Sequence, residues 1–441
     1  MGSLPRSCSV NTNLNLPLFS DSPLPSKTTY SRKEHLTFKA NVKQGRHGWL
    51  RLTPAYSVHL VEELVSKCNQ EDLVLDPFCG TGTTALACAQ SGITCHTVDI
   101  NPFLVWLTNA KFAAYSVDVI EQAREVLNQL LADMHEESHS AWTPPIKDIH
   151  KWWEPDILRL LSLTFEQMRN LALSNEARSL LYIIFCRCLI ELSSASFGHQ
   201  SMSFKKDTPS AYLFEVPAEM RFQNTFRRIA SEVFDSASDS IQEGSSQALP
   251  GDSRQLEAFL PLKDYTAVIT SPPYPNRMSY IRELRPYMYW LGYLDSGNQA
   301  GELDWQAIGG TWGCATSKLM SWVPNPNIHV PYARFYEITS QIAQNSQVLS
   351  LYVTKYFEDT VRHIRSLKNV LAPHAQVYYI VGNSKFYDVM LPTEKLYAAI
   401  FESEGFQDVH IETIRKRTSK KELFEYVVSA RFQGGNKAAH L

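Results

Sequence analysis

From Thr53 onward the chain alternates short apolar runs with polar breaks. Apolar spacing over Pro54 to Lys67 predicts a short helix, and Leu73-Val74-Leu75-Asp76 then reads as a buried strand. A glycine-bearing turn follows, then a helix through Ala85 to Gln90 and a second strand from Ile93 to Asp99. Strand, helix and strand in this succession form a βαβ unit, which calls for a mainly parallel sheet.

Residues 112–249 read differently. Apolar positions such as Ile157, Leu160 and Leu161, and again Leu180 and Ile184, repeat at helical spacing through about residue 235. The polar stretch Ser236 to Gln247 reads as a linker or surface loop. Strand patterns resume at Thr266 to Ser271 and at Gln376 to Val381, the latter after a long helix around Leu351 to Val370. Asp408 to Arg417 and Leu423 to Phe432 read as two strands joined by a short basic turn. The expected fold class is α/β, a doubly wound sheet interrupted by a helical insertion. The expected divisions are an N-terminal mobile arm (1–26), a first half of the sheet (27–111), the helical insertion (112–249), a segment around the third strand (250–294), a second insertion (295–345) and the remaining half of the sheet (346–441).

Composition narrows the function classes without choosing one. No apolar run reaches membrane-spanning length, and the start of the chain lacks a secretory pattern. The eight cysteines show no CxxC pair, so neither a zinc site nor a disulfide framework is expected, and reduced thiols in a cytoplasmic setting are. Net charge is -3, so a nucleic-acid surface would have to be a local basic patch.

Asp76-Pro77-Phe78-Cys79-Gly80-Thr81-Gly82-Thr83-Thr84 sits where the first strand ends and a helix opens. Its glycines permit a tight turn and close approach to a ligand, and the helix start presents free N–H groups. The full G-x-G-x-x-G of a pyrophosphate site is absent, because Thr83, Thr84 and Ala85 follow Gly82. A nucleoside with a charged amino-acid tail fits better. Asp99, followed by Asn101, stands at the end of the second strand, where an acid accepts from ribose hydroxyls; the lesser alternative is that it merely caps a helix beginning near Pro102.

Thr270-Ser271-Pro272-Pro273-Tyr274 follows a third strand. Consecutive prolines fix φ and carry no N–H, so both their carbonyls are expected to be held rigidly and to point outward as acceptors. Ser271 adds a hydroxyl acceptor and Tyr274 a flat face. Two acceptors and an aromatic plane suit the amino group of a base extruded from a duplex. A Pro-Pro turn with a packed tyrosine is the plainer reading.

These two segments together resemble the S-adenosylmethionine-dependent DNA amino-methyltransferases, whose motifs look like Asp-Pro-Phe-x-Gly-x-Gly-Thr-Thr and (Asp/Asn/Ser)-Pro-Pro-(Tyr/Phe). The resemblance covers residues 46–111, 250–291 and about 345–432. It implies a mainly parallel, seven-stranded methyltransferase sheet, S-adenosylmethionine as cofactor and double-stranded DNA as partner. A cognate restriction endonuclease acting separately is a further partner that the resemblance suggests. It also implies roles: Asp76, Phe78, Gly80 and Gly82 line the methionine part, together with Pro77, Thr81 and Thr83 of the same loop. Asp99 and Asn101 lie at the ribose, and Asp252 of Gly251-Asp252-Ser253 at the adenine amino group. Thr53 and Tyr56, within Arg51 to Ser57, close over the methionine end. Ser271, Pro272, Pro273 and Tyr274 form the catalytic set. Ser271 in place of an acid is typical of cytosine-N4 members, while Asp-Pro-Pro-Tyr is typical of adenine-N6 members.

Three alternatives stand beside cytosine-N4 transfer: adenine-N6 transfer, RNA guanine-N2 transfer, and a catalytically silent binding module. The RNA enzymes usually carry a separate domain ahead of the motifs, whereas here the motif region begins near Arg51. Cytosine-C5 chemistry is set aside because no Pro-Cys dipeptide supplies its nucleophile; Cys79 reads as a packing residue. Candidates for contact with DNA are Lys205 and Lys206, Arg227 and Arg228, the group Arg277, Arg282 and Arg285, and Arg415 to Arg417 with Lys420 and Lys421. The Arg277 group is favoured because it follows the catalytic segment. Trp152, Trp153 and Trp312 read as core or interface residues rather than base wedges.

Overall fold

The computed structural model describes residues 36, 41–42, 44–50, 56–132, 142–196, 203–204, 216–241, 246–262, 264–311, 314–417 and 422–434. Thr53, Lys205, Lys206, Trp312, Lys420, Lys421 and the arm 1–26 lie outside these residues.

Strands β1 (Leu73–Asp76), β2 (Thr94–Asp99), β5 (Gln247–Pro250), β6 (Tyr265–Thr270), β7 (Leu371–Gly382), β10 (Phe406–Lys416) and β11 (Phe424–Phe432) form one sheet. Their order is β10-β11-β7-β6-β1-β2-β5. All neighbours from β5 through β7 pair parallel, while β11 runs antiparallel to both β7 and β10. The mainly parallel, seven-stranded sheet expected from the sequence is therefore present. Strand order reverses at β1, which lies between β2 and β6. In such sheets the crevice at the carboxyl ends beside the reversal is where ligands bind.

The central strands read as continuous apolar runs because both faces are covered. Period-two geometry sends Val74, Ala267, Ile269 and Ile380 to one apolar layer and their neighbours Leu75, Val268, Tyr379 and Val381 to the other. Helices α1 (Val58–Val65) and α2 (Thr83–Gln90) cover the first layer. The second is covered by helices α11 (Phe335–Ala343), α12 (Gln347–Val370) and α13 (Thr393–Ser403).

The insertion folds as α4 (Val117–Ala132), α5 (Pro155–Asn170), α6 (Asn175–Glu191) and α7 (Ala218–Ala237), with a small hairpin of β3 (Ala195–Ser196) and β4 (Ser203–Phe204). These helices share one apolar cluster with α3 (Pro102–Phe112) and α8 (Tyr280–Trp290), the helix that follows the proline pair. Trp290 is fully buried there, with ring centroids of Trp142, Trp153, Phe165 and Phe185 at 6.0, 5.8, 5.7 and 5.4 Å. Trp152 and Trp153 are buried in the same cluster, as expected of core residues.

Two local readings change. The polar stretch 236–247 is not all linker, since α7 runs to Ala237 and edge strand β5 begins at Gln247. That strand falls within the residues assigned to the insertion. The second insertion contains helices α9 (Gly297–Gln306) and α10 (Cys314–Ser321), followed by α11; hairpin β8 (Ser384–Phe386) and β9 (Val389–Leu391) comes after β7.

Because α8 ends inside the insertion's aromatic cluster, truncating its last ring should loosen both. Trp290→Ala is expected to lower unfolding free energy by about 3–5 kcal/mol, read by urea denaturation followed by tryptophan fluorescence. A loss below about 1 kcal/mol would show that the cluster collapses without cost.

Candidate active site at the carboxyl edge of the sheet

The turn between β1 and α2 is built on two left-handed glycines, Gly80 at φ +52° and Gly82 at φ +73°. A Cβ on Gly82 would stand 2.6 Å from the Thr108 side chain, so the turn must bear glycine for α3 to approach. Cys79 is buried and its Sγ lies 2.9 Å from Thr108 Oγ1, which fits its reading as a packing residue. Lys111 donates from Nζ to the carbonyls of Thr81 (2.9 Å) and His47 (3.3 Å). Burial pulls this ammonium down to about 7. Nothing in the sequence marked Lys111 or His47, because their value is a contact made across the fold.

Beside this turn opens a cleft of about 970 Å³, open solvent at its mouth included. Tyr56, Pro77, Phe78, Gly80, Thr81, Thr83, Asp99, Asn101, Asp252, Ser271 and Pro273 line it, all of them named from the sequence. Asp76, Gly82, Pro272 and Tyr274 do not face this cleft.

Asp76 lies beneath it, fully buried. Its Oδ1 accepts from Thr270 Oγ1 (2.6 Å) and the Phe78 amide (3.1 Å), and its Oδ2 from Tyr56 Oη (3.2 Å). Burial raises its carboxyl above the usual range, opposed chiefly by the Thr270 hydroxyl. Tyr56 Oη also meets Thr84 Oγ1, which donates to the Ile269 carbonyl at 3.2 Å. The carboxylate thus ties the start of the glycine turn to the end of β6.

Asp99 accepts from the Gly80 amide (3.0 Å) and the Asn101 amide (2.8 Å), and burial pushes its carboxyl up to about 7. The helix cap at α3 is supplied by Asn101, whose Oδ1 accepts from the Phe103 amide at 3.0 Å. Asp99 is therefore free of the capping role and faces the cleft.

The third wall is charged. Arg254 donates from Nε and Nη2 to both carboxylate oxygens of Asp252, pairs with Asp359 at 2.9 Å, and donates to the Gln306 carbonyl at 2.7 Å. Burial alone would raise the Asp252 carboxyl, but the bonds from Arg254 hold it below the ordinary value. His363 is buried and spans the Ser253 carbonyl (Nδ1, 2.8 Å) and Tyr379 Oη (Nε2, 2.7 Å). A carbonyl only accepts, so Nδ1 carries the proton and Nε2 accepts from the tyrosine. Burial lowers its pKa to about 4, so the ring is neutral near pH 7 and rests its edge on Phe78 at 4.8 Å.

Ser271 and Pro273 line the same cleft. The Pro273 carbonyl accepts from Tyr356 Oη at 2.7 Å, and that hydroxyl meets Tyr397 Oη at 3.0 Å. The expectation that both proline carbonyls point outward is corrected here, since one is spent on α12. Tyr280, Met278, Ile308 and Gly310 also line the cleft and escaped the sequence reading. Ile308 and Gly310 belong to the second insertion, whose sequence carried no motif.

The basic candidates separate. Arg277 and Arg282 are exposed, and Arg277 holds a left-handed backbone (φ +64°) unusual for its type. Arg285 instead lies over the Trp152 ring at 5.2 Å, with burial lowering its pKa. Arg228 pairs with Glu191 and Glu232, and Arg415 with Glu425. Arg285 and Arg415 are engaged within the fold, whereas Arg228, though paired, stays exposed at the surface.

A family match covers residues 25–110, to a DNA methylase family of N6/N4 type. The type II methyltransferase M.BsoBI of Geobacillus stearothermophilus is 22% identical over 447 residues, covering 90% of this chain and 86% of that protein. M.AvaI of a Nostoc species is 32% identical over 69 residues, 15% of this chain and 14% of its own. M.MjaII of Methanocaldococcus jannaschii is 33% identical over 66 residues, covering 15% and 11%. Among solved structures, TrmN from Thermus thermophilus aligns with 90% of this chain and 53% of its own, at 10% identity and a TM-score of 0.32, a likeness too slight to carry weight. The family match and the type II methyltransferase relatives together support the amino-methyltransferase family for this chain.

Proposed function

We propose that this protein methylates the exocyclic N4 of cytosine in double-stranded DNA, with S-adenosylmethionine as donor. The observation that carries this reading is that Ser271 and Pro273 wall the same cleft as the glycine turn and Asp99. The cleft fits the donor: glycines remove side chains where the backbone turns, Asp99 offers a carboxylate to a ribose, and Asp252 lines the same cleft. When bound, S-adenosylmethionine would supply an electrophilic methyl group.

The chain's own part is to orient and to exclude water. Ser271 Oγ and the Pro272 carbonyl accept the two N–H bonds of the amine, aiming its lone pair at the cleft. Pro273, anchored by Tyr356, keeps that pair of acceptors in register. Tyr274 offers its ring to the flipped base. Such orientation is worth ~7–11 kcal/mol. Ser271 places no negative charge beside the amine, which favours cytosine-N4 over adenine-N6.

Two outcomes follow. Asp99 titrates near 7, and its ionised form is the stronger acceptor of ribose hydroxyls. Affinity for methylthioadenosine, which lacks the titrating amino acid, is expected to rise as pH increases through that value and then level off. Asp99→Asn should flatten the profile and weaken binding about tenfold at the plateau, read by calorimetry. A flat wild-type profile would remove Asp99 from the ribose. For the base, digestion of methylated duplex to nucleosides and mass spectrometry should show N4-methylcytosine, and Ser271→Ala should cut turnover far more than donor affinity. N6-methyladenine alone would overturn the base assignment. Methylated RNA with unmodified DNA would overturn the substrate class.

A further inference from the structure

The ring of Tyr274 is held from three sides by residues that no motif names. Its hydroxyl donates to Glu425 Oε1 at 2.8 Å, and the other oxygen of that carboxylate accepts from Arg415 Nε at 2.7 Å. The Glu425 side chain is only 7% exposed, so the carboxylate is committed to these two partners. The guanidinium of Arg417 stands 5.1 Å from the ring centroid, within cation–π reach. That guanidinium is itself fixed, donating from Nη1 to the Asn383 carbonyl at 2.9 Å. Asn383 is buried, its side chain accepting from the Phe424 amide at 2.8 Å and donating to the Glu422 carbonyl at 3.1 Å.

Gly382 completes the arrangement. It is the cross-strand partner of Glu425 in the β7–β11 ladder. A Cβ there would stand 2.5 Å from Arg417 Nη1 and 2.8 and 2.9 Å from two carbons of the Tyr274 ring. Glycine inside a strand commonly marks such a close approach. Tyr274 as a whole residue is half-buried, not fully enclosed.

We propose that Gly382, Arg417 and Glu425 are positioning residues that lock Tyr274 into one orientation, making its ring a preformed stacking plane for the target base. This rests on the base-methylating reading above and adds to it where the plane comes from. A ring fixed before the base arrives needs no reordering at the moment of binding. The three residues act through Tyr274 and touch no reacting atom.

The test uses the full chain and a duplex carrying whichever site is found methylated in cells expressing it. Arg417→Met removes the guanidinium while keeping an aliphatic stem, and Gly382→Ala inserts the methyl that the ring and Arg417 exclude. Each is expected to lower turnover about tenfold or more, because small misplacements of reacting groups are costly. Donor affinity should stay within about twofold, since these residues lie off the donor's cleft. Arg417→Lys should recover part of the loss. In a Tyr274→Ala background, Arg417→Met should cost nothing further. A second readout needs no substrate: with fluorotyrosine in place of Tyr274, the fluorine resonance should move towards that of free fluorotyrosine when Arg417→Met is added. An unchanged resonance would overturn the proposal, as would a turnover loss that persists undiminished without Tyr274. Absence of transfer to DNA by the wild-type chain would overturn the stacking role together with the function it rests on, and the fluorine result tells that failure apart from failure of the grip.

Discussion

The site depends on one buried carboxylate. Asp76 ends β1, and Thr270 ends β6, the neighbouring strand; the 2.6 Å bond between them registers the glycine turn against the Ser271 segment. Phe78 and Tyr56 supply the remaining donors, so the desolvated group is compensated on both oxygens. Two motifs nearly two hundred residues apart thereby become walls of one cleft. Removing either partner would leave a polar atom stranded in the interior, a costlier event than losing a surface bond.

Around that point the sheet does two jobs. Its central strands bury both faces, which makes the switch point rigid, while the elements that leave it brace the catalytic turn. Helix α8 begins six residues after Tyr274 and ends in the aromatic cluster of the insertion, so one helix joins the catalytic segment to the insertion. On the other flank, β11 contributes Glu425 against Tyr274, and α12 contributes Tyr356 against Pro273. The Ser271–Tyr274 segment is therefore braced by three elements that arrive from distant parts of the chain. Irregular backbone at an active site needs such bracing to persist.

Much of this was legible in the sequence, for identifiable reasons. β1 and β6 announce themselves by short apolar runs and β2 by its place after the first βα unit, and the glycine turn and proline pair are backbone devices with few substitutes. The long helix α12 and the closing strands were also found, displaced by a few residues at their ends. β5 was missed because four residues, one of them proline, give too short a pattern beside a polar stretch. Tyr280, Ile308, Lys111 and His363 were missed for a different reason. Each matters through a contact with residues far away in the chain, and local spacing holds no record of that. The same applies to Arg285, whose neighbourhood in sequence looked like a phosphate contact but whose guanidinium lies on Trp152.

The central claim is that the glycine turn, Asp99 and Ser271 face one bound molecule. A crystal structure of the full chain with S-adenosylhomocysteine tests it most directly. The account predicts the ribose at Asp99, the amino-acid tail along the Gly80 turn, and the sulfur on the Ser271 side of the cleft. A ligand bound elsewhere, or bound here with its sulfur turned towards Gln306, would contradict it.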